Sequence, residues 1–321
     1  MGGLARHRRI RATAATRAVT DARERAARLA QVDFDVAALD FDQVRVCNLC
    51  GAEEHAEVAR RDRYGFPVRY VMCIRCGLGF LSPRPTAASY ARFYAGVYRP
   101  LVSAYHGRPI DAVTLQREQR QYGDELVAFL DGALPARPAT VLDVGGSTGV
   151  VGATVGGVFN ASITVLDPSP DELAVAAEAG MATVAGFAET ADLGSLHFDL
   201  VLVCQTLDHL LDVATTLAGV RSWLAPAGRA FVDILDVDFV AQLRGGIEGA
   251  VKIDHPYYLT RKTATAFFDR AGFSVVRERL SDDGHWGFLL AASNPVEPNW
   301  SRLERAATRS LHEVWHLRAR S

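Results

Sequence analysis

The chain has 321 residues, 49% of them hydrophobic, and a formal net charge of −2 at pH 7. That length suits one large domain or two modest ones, and the apolar fraction is sufficient to bury a core. The nearly neutral balance gives no overall electrostatic reason to expect a nucleic-acid partner. No apolar run reaches the roughly 18 residues of a membrane helix, and the N-terminus lacks the apolar core of a secretion signal. These features predict a cytoplasmic protein without a membrane partner.

The N-terminal segment has a local charge asymmetry. Residues 1–29 contain eight arginines against two acidic residues, together with good helix formers and little apolar periodicity. This composition predicts that residues 1–41 form a basic arm that is helical or mobile.

Four of the five cysteines form two Cys-x-x-Cys pairs, Cys47 with Cys50 and Cys73 with Cys76. In a cytosolic chain of this size, such spacing indicates metal binding rather than disulfides, and four thiolates suit a closed, structural Zn²⁺ site. Residues 42–86 are therefore predicted to form a zinc module. The alternatives are four unrelated buried cysteines, or a variant site that uses His55 as a ligand.

The following stretch, 87–135, is predicted to be a helical connector or lid. Tyr90, Phe93, Tyr94 and Val97 recur at the spacing of one helix face, and a longer helix is predicted over Val113–Leu134. Tyr98 is a candidate lid residue, with core packing as the alternative.

From residue 136 to 295, short apolar runs alternate with helical segments, which predicts parallel strands joined by crossover helices. A helix at Arg261–Ala271 precedes a hairpin, and residues 296–321 form a C-terminal helical tail. The predicted strands are Thr140–Val144, Ser162–Leu166, Leu200–Val203, Arg229–Ile234, Ser274–Leu280 and Phe288–Ala292.

A buried strand followed by a glycine-rich turn spans Val141 to Gly149, with the sequence VLDVGGSTG. Glycines there let a ligand approach the backbone at the carboxyl end of the strand. The dinucleotide fingerprint cannot be aligned to it, because Ser147 would occupy the second glycine position. The segment resembles motif I of the S-adenosylmethionine-dependent methyltransferases. The resemblance implies that Asp143, Gly145, Gly146 and Gly149 bind that cofactor.

A second acidic residue supports this interpretation. Asp167 ends a β-branched strand 18 residues after Gly149, where a carboxylate can accept hydrogen bonds from both ribose hydroxyls. The alternative is that Asp143 and Asp167 only cap turns.

Two further segments resemble motifs of the same superfamily in the same order. Phe198–Leu210 (FDLVLVCQTLDHL) resembles motif IV, which places Cys204 and Gln205 beside the cofactor, and Trp223–Arg229 resembles the turn before the fifth strand. Together these resemblances imply an α/β fold of the Rossmann-like class I methyltransferase type. That fold has a mostly parallel seven-stranded sheet ending in an antiparallel hairpin, here joined to a small zinc-ribbon-like module.

The cysteine pairs, Pro83-Arg84-Pro85 and the segment from Lys252 to Thr260 (KIDHPYYLT) resemble the zinc-binding sugar methyltransferases of the tetronitrose 3-C-methyltransferase type. The resemblance implies a sugar or nucleotide-sugar acceptor in polysaccharide or natural-product biosynthesis. It also implies that His255 is the general base, with Asp254 as its neighbour and His209 as a second active-site histidine. Packing beside Pro256 is the alternative for His255.

The resemblance leaves the chemistry open between carbon and oxygen methylation. Those enzymes carry a further C-terminal domain, whereas about 28 residues follow Ser293 here. Lys252 stands where the family has an aromatic residue and is either a contact for an acidic substrate group or an ordinary surface lysine.

Two other functions remain open from the sequence. One is an RNA methyltransferase, which the arginine-rich arm favours and the net charge disfavours. The other is a non-catalytic relative that binds a partner through its zinc module. The sequence does not determine the oligomeric state.

Overall fold

The computed structural model describes residues 21–318, so residues 1–20 of the predicted basic arm lie outside the described residues. The described residues divide into two compact units, one formed by 21–40 with 85–115 and the other by 41–84 with 116–318. Within residues 21–318, no helix is both long and apolar enough to cross a membrane.

The first unit is helical. Its elements are α1 (residues 21–29), the 3₁₀ helix η1 (Val36–Ala38), α2 (Ala87–Gly96) and α3 (Tyr98–His106). Arg28 Nε donates a hydrogen bond to the Ala104 carbonyl at 2.9 Å and so joins α1 to α3. The prediction that Tyr90, Phe93, Tyr94 and Val97 lie on one helix face is wrong for Val97. Val97 lies between α2 and α3, and the Tyr94 side chain is 38% exposed.

Helix α4 (Ala112–Leu130) begins in the first unit and continues into the second. Its buried residues Leu126, Phe129 and Leu130 contact the sheet of the second unit. The helix ends four residues before the predicted Leu134, because the chain turns through Gly132 at a φ of 66°.

A seven-stranded sheet forms the centre of the second unit. Its strand order is β12-β13-β10-β9-β6-β7-β8, with β13 antiparallel to both of its neighbours and the remaining pairs parallel. The strands are β6 (Thr140–Val144), β7 (Ser162–Asp167), β8 (Ala182–Ala185), β9 (Phe198–Val203), β10 (Leu224–Leu235), β12 (Phe273–Leu280) and β13 (His285–Ala292). This is the predicted class I methyltransferase topology.

Helices connect these strands. They are α5 (Val150–Phe159), α6 (Pro170–Glu178), η2 (Leu207–His209), α7 (Val213–Trp223), α8 (Val237–Leu243), η3 (Ile247–Gly249) and α9 (Arg261–Ala271). The bounds of α9 and its Gly272 cap agree with the prediction. Strand β8 was not predicted, because its four residues are mostly exposed and carry no apolar pattern.

The cysteine segment, residues 41–84, forms most of a smaller antiparallel sheet, whose strand order is β11-β4-β3-β2. Its strands are β2 (His55–Arg61), β3 (Pro67–Cys73), β4 (Gly79–Leu81) and β11 (Tyr257–Tyr258), and the short strands β1 (Phe41–Asp42) and β5 (Arg84–Pro85) flank the segment. Strand β11 comes from a distant part of the chain, so this sheet is completed by residues outside 42–86.

One hydrophobic core joins this sheet to the seven-stranded sheet. Leu78 and Phe80 belong to the same buried cluster as Val203 and Leu207. Helix α10 (Trp300–Arg318) packs on the cysteine segment. A Cβ on Gly77 would lie 3.4 Å from the Ala307 Cβ, so α10 and the turn after Cys76 are in close contact.

Candidate active site

The glycine-rich turn lies at the carboxyl end of β6, beside the end of β9. Gly145 has a φ of 68°, and a Cβ there would lie 2.6 Å from the Thr206 side chain. A side chain at 145 would therefore be strained and would also clash. The Gly145 amide donates to the Leu166 carbonyl at 2.7 Å, which holds the turn against β7.

Asp143 lies beneath this turn. Its Oδ2 accepts a hydrogen bond from the Gly152 amide in α5 at 3.0 Å, and the residue is 1% exposed. Burial raises the pKa of the Asp143 carboxyl to about 6. A Cβ on Gly146 would lie 2.7 Å from the Asp143 Cγ, so glycine is required above the carboxyl group. Asp143 thus fixes the turn and the start of α5.

Asp167 ends β7, and its carboxylate links the glycine-rich turn to the start of α6. Its Oδ2 accepts from the Ser147 amide and its Oδ1 from the Ser169 amide, each at 2.9 Å. Burial raises the pKa of Asp167. Each oxygen retains a further lone pair, so the carboxylate can still accept from a ribose diol. The glycine turn and this acid fit the nucleoside part of S-adenosylmethionine, which supplies a methyl group on a sulfonium when bound.

The end of β9, which carries the predicted residues Cys204 and Gln205, is held by Asp233 and Tyr122, which the sequence did not single out. Gln205 adopts a left-handed φ of 50°, and its amide donates to Asp233 Oδ1 at 2.5 Å. The Tyr122 hydroxyl of α4 donates to Asp233 Oδ2 at 2.7 Å. Asp233 is 2% exposed within the apolar strand β10, and an acid in such a strand is the signal that would have found it. Cys204, the other predicted cofactor residue, has its pKa raised by burial.

The predicted catalytic residues meet at the carboxyl ends of β9 and β10. His209 lies in η2, whereas Asp254 and His255 precede β11. The His209 and His255 rings are 4.3 Å apart between centroids, and His255 Nε2 lies 3.8 Å from Asp254 Oδ2. Residues separated by more than forty positions thus form one cluster.

Asp208 also belongs to this cluster, although its sequence motif predicts no role for it. Its Oδ2 lies 3.8 Å from His255 Nδ1 and accepts from the Leu235 amide at 3.2 Å. His255 is 4% exposed and Asp254 is 1% exposed, whereas His209 is partly accessible. The two carboxylates therefore flank the His255 ring.

Burial sets the protonation states here. It lowers the pKa of His255 well below its ordinary value, and the nearby Lys252 ammonium lowers it further. The same two causes lower the pKa of His209 to about 4. Burial raises the pKa of Asp208 to about 7. Both imidazoles are consequently neutral at pH 7, the state in which a histidine accepts a proton.

Lys252 is buried rather than an ordinary surface lysine. Its Nζ lies 3.7 Å from Asp254 Oδ2, the residue is 8% exposed, and burial lowers its pKa to about 8. One candidate ligand atom from each of His209, Asp254 and His255 lies within 4.8 Å of the other two, a spacing that could hold a cation. The Lys252 ammonium already supplies positive charge at the same carboxylate.

The four cysteines converge in the second candidate site. Their Sγ atoms lie within 4.8 Å of one another, with 3.5 Å between Cys47 and Cys76 and between Cys50 and Cys73. A tetrahedral zinc site with bonds of about 2.3 Å places sulfurs about 3.8 Å apart, so this donor set is compatible with zinc. His55 instead packs edge to face on Phe80, and its Nε2 lies 3.2 Å from the Ala52 carbonyl.

Comparison with known proteins identifies the family. A family model described as a methyltransferase domain matches residues 115–278, which is 164 of the 321 residues. The chain therefore belongs to this methyltransferase-domain family.

Individual relatives cover only parts of the chain. The O-methyltransferase cnsE of Penicillium expansum is 29% identical over 163 residues, which cover 48% of this chain and 59% of that protein. An O-methyltransferase family protein from Burkholderia thailandensis is 14% identical, with 61% of each chain covered and a TM-score of 0.46. The CcbJ methyltransferase from Streptomyces caelestis is 17% identical, covering 53% of this chain and 89% of its own, with a TM-score of 0.44. Since both TM-scores are below 0.5, the fold assignment rests on the strand order.

Proposed function

We propose that this enzyme methylates a hydroxyl oxygen of a small molecule, a sugar or nucleotide-sugar, with His255 as the general base. The observation that carries the proposal is the pair of adjacent imidazoles at the carboxyl ends of β9 and β10, in which His255 is buried between Asp208 and Asp254 and His209 is partly accessible. Ligands of open α/β sheets bind at these strand ends.

His255 suits proton removal from an acceptor. An acceptor hydroxyl would pass its proton to a nitrogen of the neutral ring, while S-adenosylmethionine held by the glycine-rich turn and Asp167 would supply the methyl group. The imidazolium that forms lies 3.8 Å from carboxylate oxygens of Asp208 and Asp254, which offset its charge. A low pKa keeps the ring unprotonated before the reaction.

The choice of acceptor rests on two resemblances. The cysteine pairs and the Lys252–Thr260 segment resemble those of zinc-binding sugar methyltransferases. The name of the Penicillium relative favours oxygen over carbon as the methylated atom. Lys252 gives the site a buried cation, which suits an acceptor that carries an anionic group.

The test is methyl uptake from labelled S-adenosylmethionine across nucleotide-sugars, free sugars and small hydroxylated metabolites, with total RNA as a further arm. We expect a small molecule to gain one methyl group on oxygen in a reaction that His255→Ala slows by about 10²- to 10⁴-fold. Methylated RNA without any small-molecule product would contradict the proposal.

A further inference from the structure

The loop that carries His255 is built onto the cysteine segment. Immediately after it, β11 pairs antiparallel with β4, so that Tyr257 is opposite Phe80 and Tyr258 opposite Gly79. The Leu81 amide also donates to the Pro256 carbonyl at 3.0 Å. The backbone beyond the proposed base is therefore the outer strand of the small sheet.

Asp62, in the turn between β2 and β3, holds the same loop on its other side. Its Oδ1 accepts from the amides of Tyr64 and Phe66 at 2.9 Å each, which shapes the turn. Its Oδ2 accepts from the Ile253 amide at 3.0 Å. The neighbouring Arg63 amide donates to the Val251 carbonyl at 2.9 Å. The Asp62 side chain is 4% exposed, so water does not replace these bonds readily.

The loop after His209 is held by the first cysteine pair. Asn48 stands between Cys47 and Cys50, and its Nδ2 donates to Asp212 Oδ1 at 2.8 Å. Its Oδ1 accepts from the Ala214 amide at 3.1 Å. Arg84 Nη1 donates to the Leu211 carbonyl at 2.9 Å. The loop after His209 and the loop that carries His255 are thus both hydrogen-bonded to the cysteine segment.

The cofactor side is fixed by different partners. Gly145 bonds to β7, Asp143 to the Gly152 amide of α5, and Asp167 to the amides of Ser147 and Ser169. These contacts lie within the seven-stranded sheet and its helices.

We propose that the cysteine segment is a positioning element for the acceptor side of the active site. In this role Asp62 is the positioning residue that fixes the 251–255 backbone, and Asn48 fixes the 210–214 backbone. The inference relies on the proposed function only in calling these loops the acceptor side. Metal held by the four thiolates would keep the pairs in the shape that presents Asn48 and the small sheet.

The key variant is Asp62→Asn, which is isosteric. The amide keeps an oxygen toward Tyr64 and Phe66 but presents an N–H₂ group to the Ile253 amide, which is another donor. The matched control is Asp199→Asn, because Asp199 Oδ2 also accepts backbone bonds, from Ala139 and Thr140, at the amino end of β6. Hydrogen exchange of backbone amides, zinc content and calorimetric affinity for S-adenosylhomocysteine are measured on all full-length chains.

We expect amides of residues 251–255 to exchange about tenfold faster in Asp62→Asn, with zinc content and S-adenosylhomocysteine affinity unchanged. In Asp199→Asn the faster exchange should appear at residues 139–140 instead. Unchanged exchange at 251–255 in Asp62→Asn would overturn the inference. A tenfold loss of affinity for S-adenosylhomocysteine in the same variant would also overturn it.

A second variant covers the case in which Asp62→Asn fails to fold. Asn48→Asp keeps the acceptor for Ala214 but places a carboxylate against Asp212, so exchange should rise at 210–214 while cofactor affinity is retained. No rise there would contradict the positioning role. Once the acceptor is known, Asp62→Asn should lower kcat and leave the KM for S-adenosylmethionine unchanged. If His255→Ala keeps full turnover, the proposed base is wrong, whereas the exchange results stand independently.

Discussion

The imidazole rings of His209 and His255 lie edge to face, with 4.3 Å between their centroids and 68° between their planes. His209 follows the end of β9, and its Nδ1 is 3.3 Å from the Asp254 carbonyl, while His255 is the next residue after Asp254. A protonated Nδ1 on His209 would donate to that carbonyl, so one ring orients the backbone that carries the other. From this relationship we expect the two histidines to have different roles.

Replacing each histidine in turn tests that division of roles. We expect His255→Ala to lower kcat by about 10²- to 10⁴-fold, the usual contribution of a general base. His209→Ala removes the ring contact and the bond to the Asp254 carbonyl but not the base, and should lower kcat by about tenfold. Steady-state rates with the identified acceptor measure both. Equal effects of the two substitutions, or a larger effect at His209, would reverse the assignment.

The Lys252 ammonium predicts a pH dependence with a definite sign. A base is active only when neutral, so kcat is lost as pH falls through the pKa of His255, which burial and Lys252 place well below the ordinary value of about 6.5. Removing the cation in Lys252→Met raises that pKa, so the acid limb of the kcat profile should move to higher pH.

The control for this profile is Lys262→Met, which removes an exposed lysine of α9. Its acid limb should coincide with that of the unmodified enzyme. An acid limb that Lys252→Met leaves in place, or moves downward, would exclude His255 as the group that titrates.

Asp233 is predicted to support the cofactor side through the turn at Gln205. Asp233→Ala leaves the Gln205 amide and the Tyr122 hydroxyl without their acceptor, at a cost of about 1–3 kcal/mol, and should weaken S-adenosylhomocysteine binding. Asp233→Asn should bind nearly normally, because its oxygen can face Gln205 and the hydroxyl can rotate to accept from the amide. Calorimetry that ranks the asparagine variant equal to the alanine variant would contradict this account.

The cysteine cluster predicts one bound zinc ion per chain. Cys76→Ser removes a ligand and should reduce both zinc content and stability, by on the order of several kcal/mol, because a structural metal contributes folding free energy. Cys204→Ser removes the fifth thiol, outside the cluster, and should keep the metal. Elemental analysis and thermal unfolding measure the two effects. Loss of zinc in both variants, or in neither, would show that the four cysteines are not the ligands.

Local patterns made the sheet and the glycine turn predictable from sequence. Gly145, Gly149 and Asp167 stand at spacings set by one strand-turn-helix unit, so their proximity follows from neighbouring residues. The hairpin around Gly284 and the cap at Gly272 are local for the same reason.

Long-range pairing was not predictable in this way. Tyr257 and Tyr258 form a two-residue strand, too short for any alternation, and their partner β4 lies more than 170 positions earlier. Asp62 carries no motif, and its bond to the Ile253 amide exists only in the folded chain. From the sequence, the cysteine segment was therefore predicted as a module separate from the methyltransferase domain. In the structure the two share one hydrophobic core.

The most direct test of the account is calorimetric titration with S-adenosylhomocysteine of the unmodified enzyme, Asp167→Ala and the control Asp171→Ala, which alters an exposed residue of α6. We predict saturable binding to the unmodified enzyme and the control, and about tenfold to hundredfold weaker binding to Asp167→Ala, because a charged acceptor for the ribose is lost. Absence of binding by folded, zinc-loaded enzyme, or equal affinity in Asp167→Ala, would contradict the cofactor site on which the account depends.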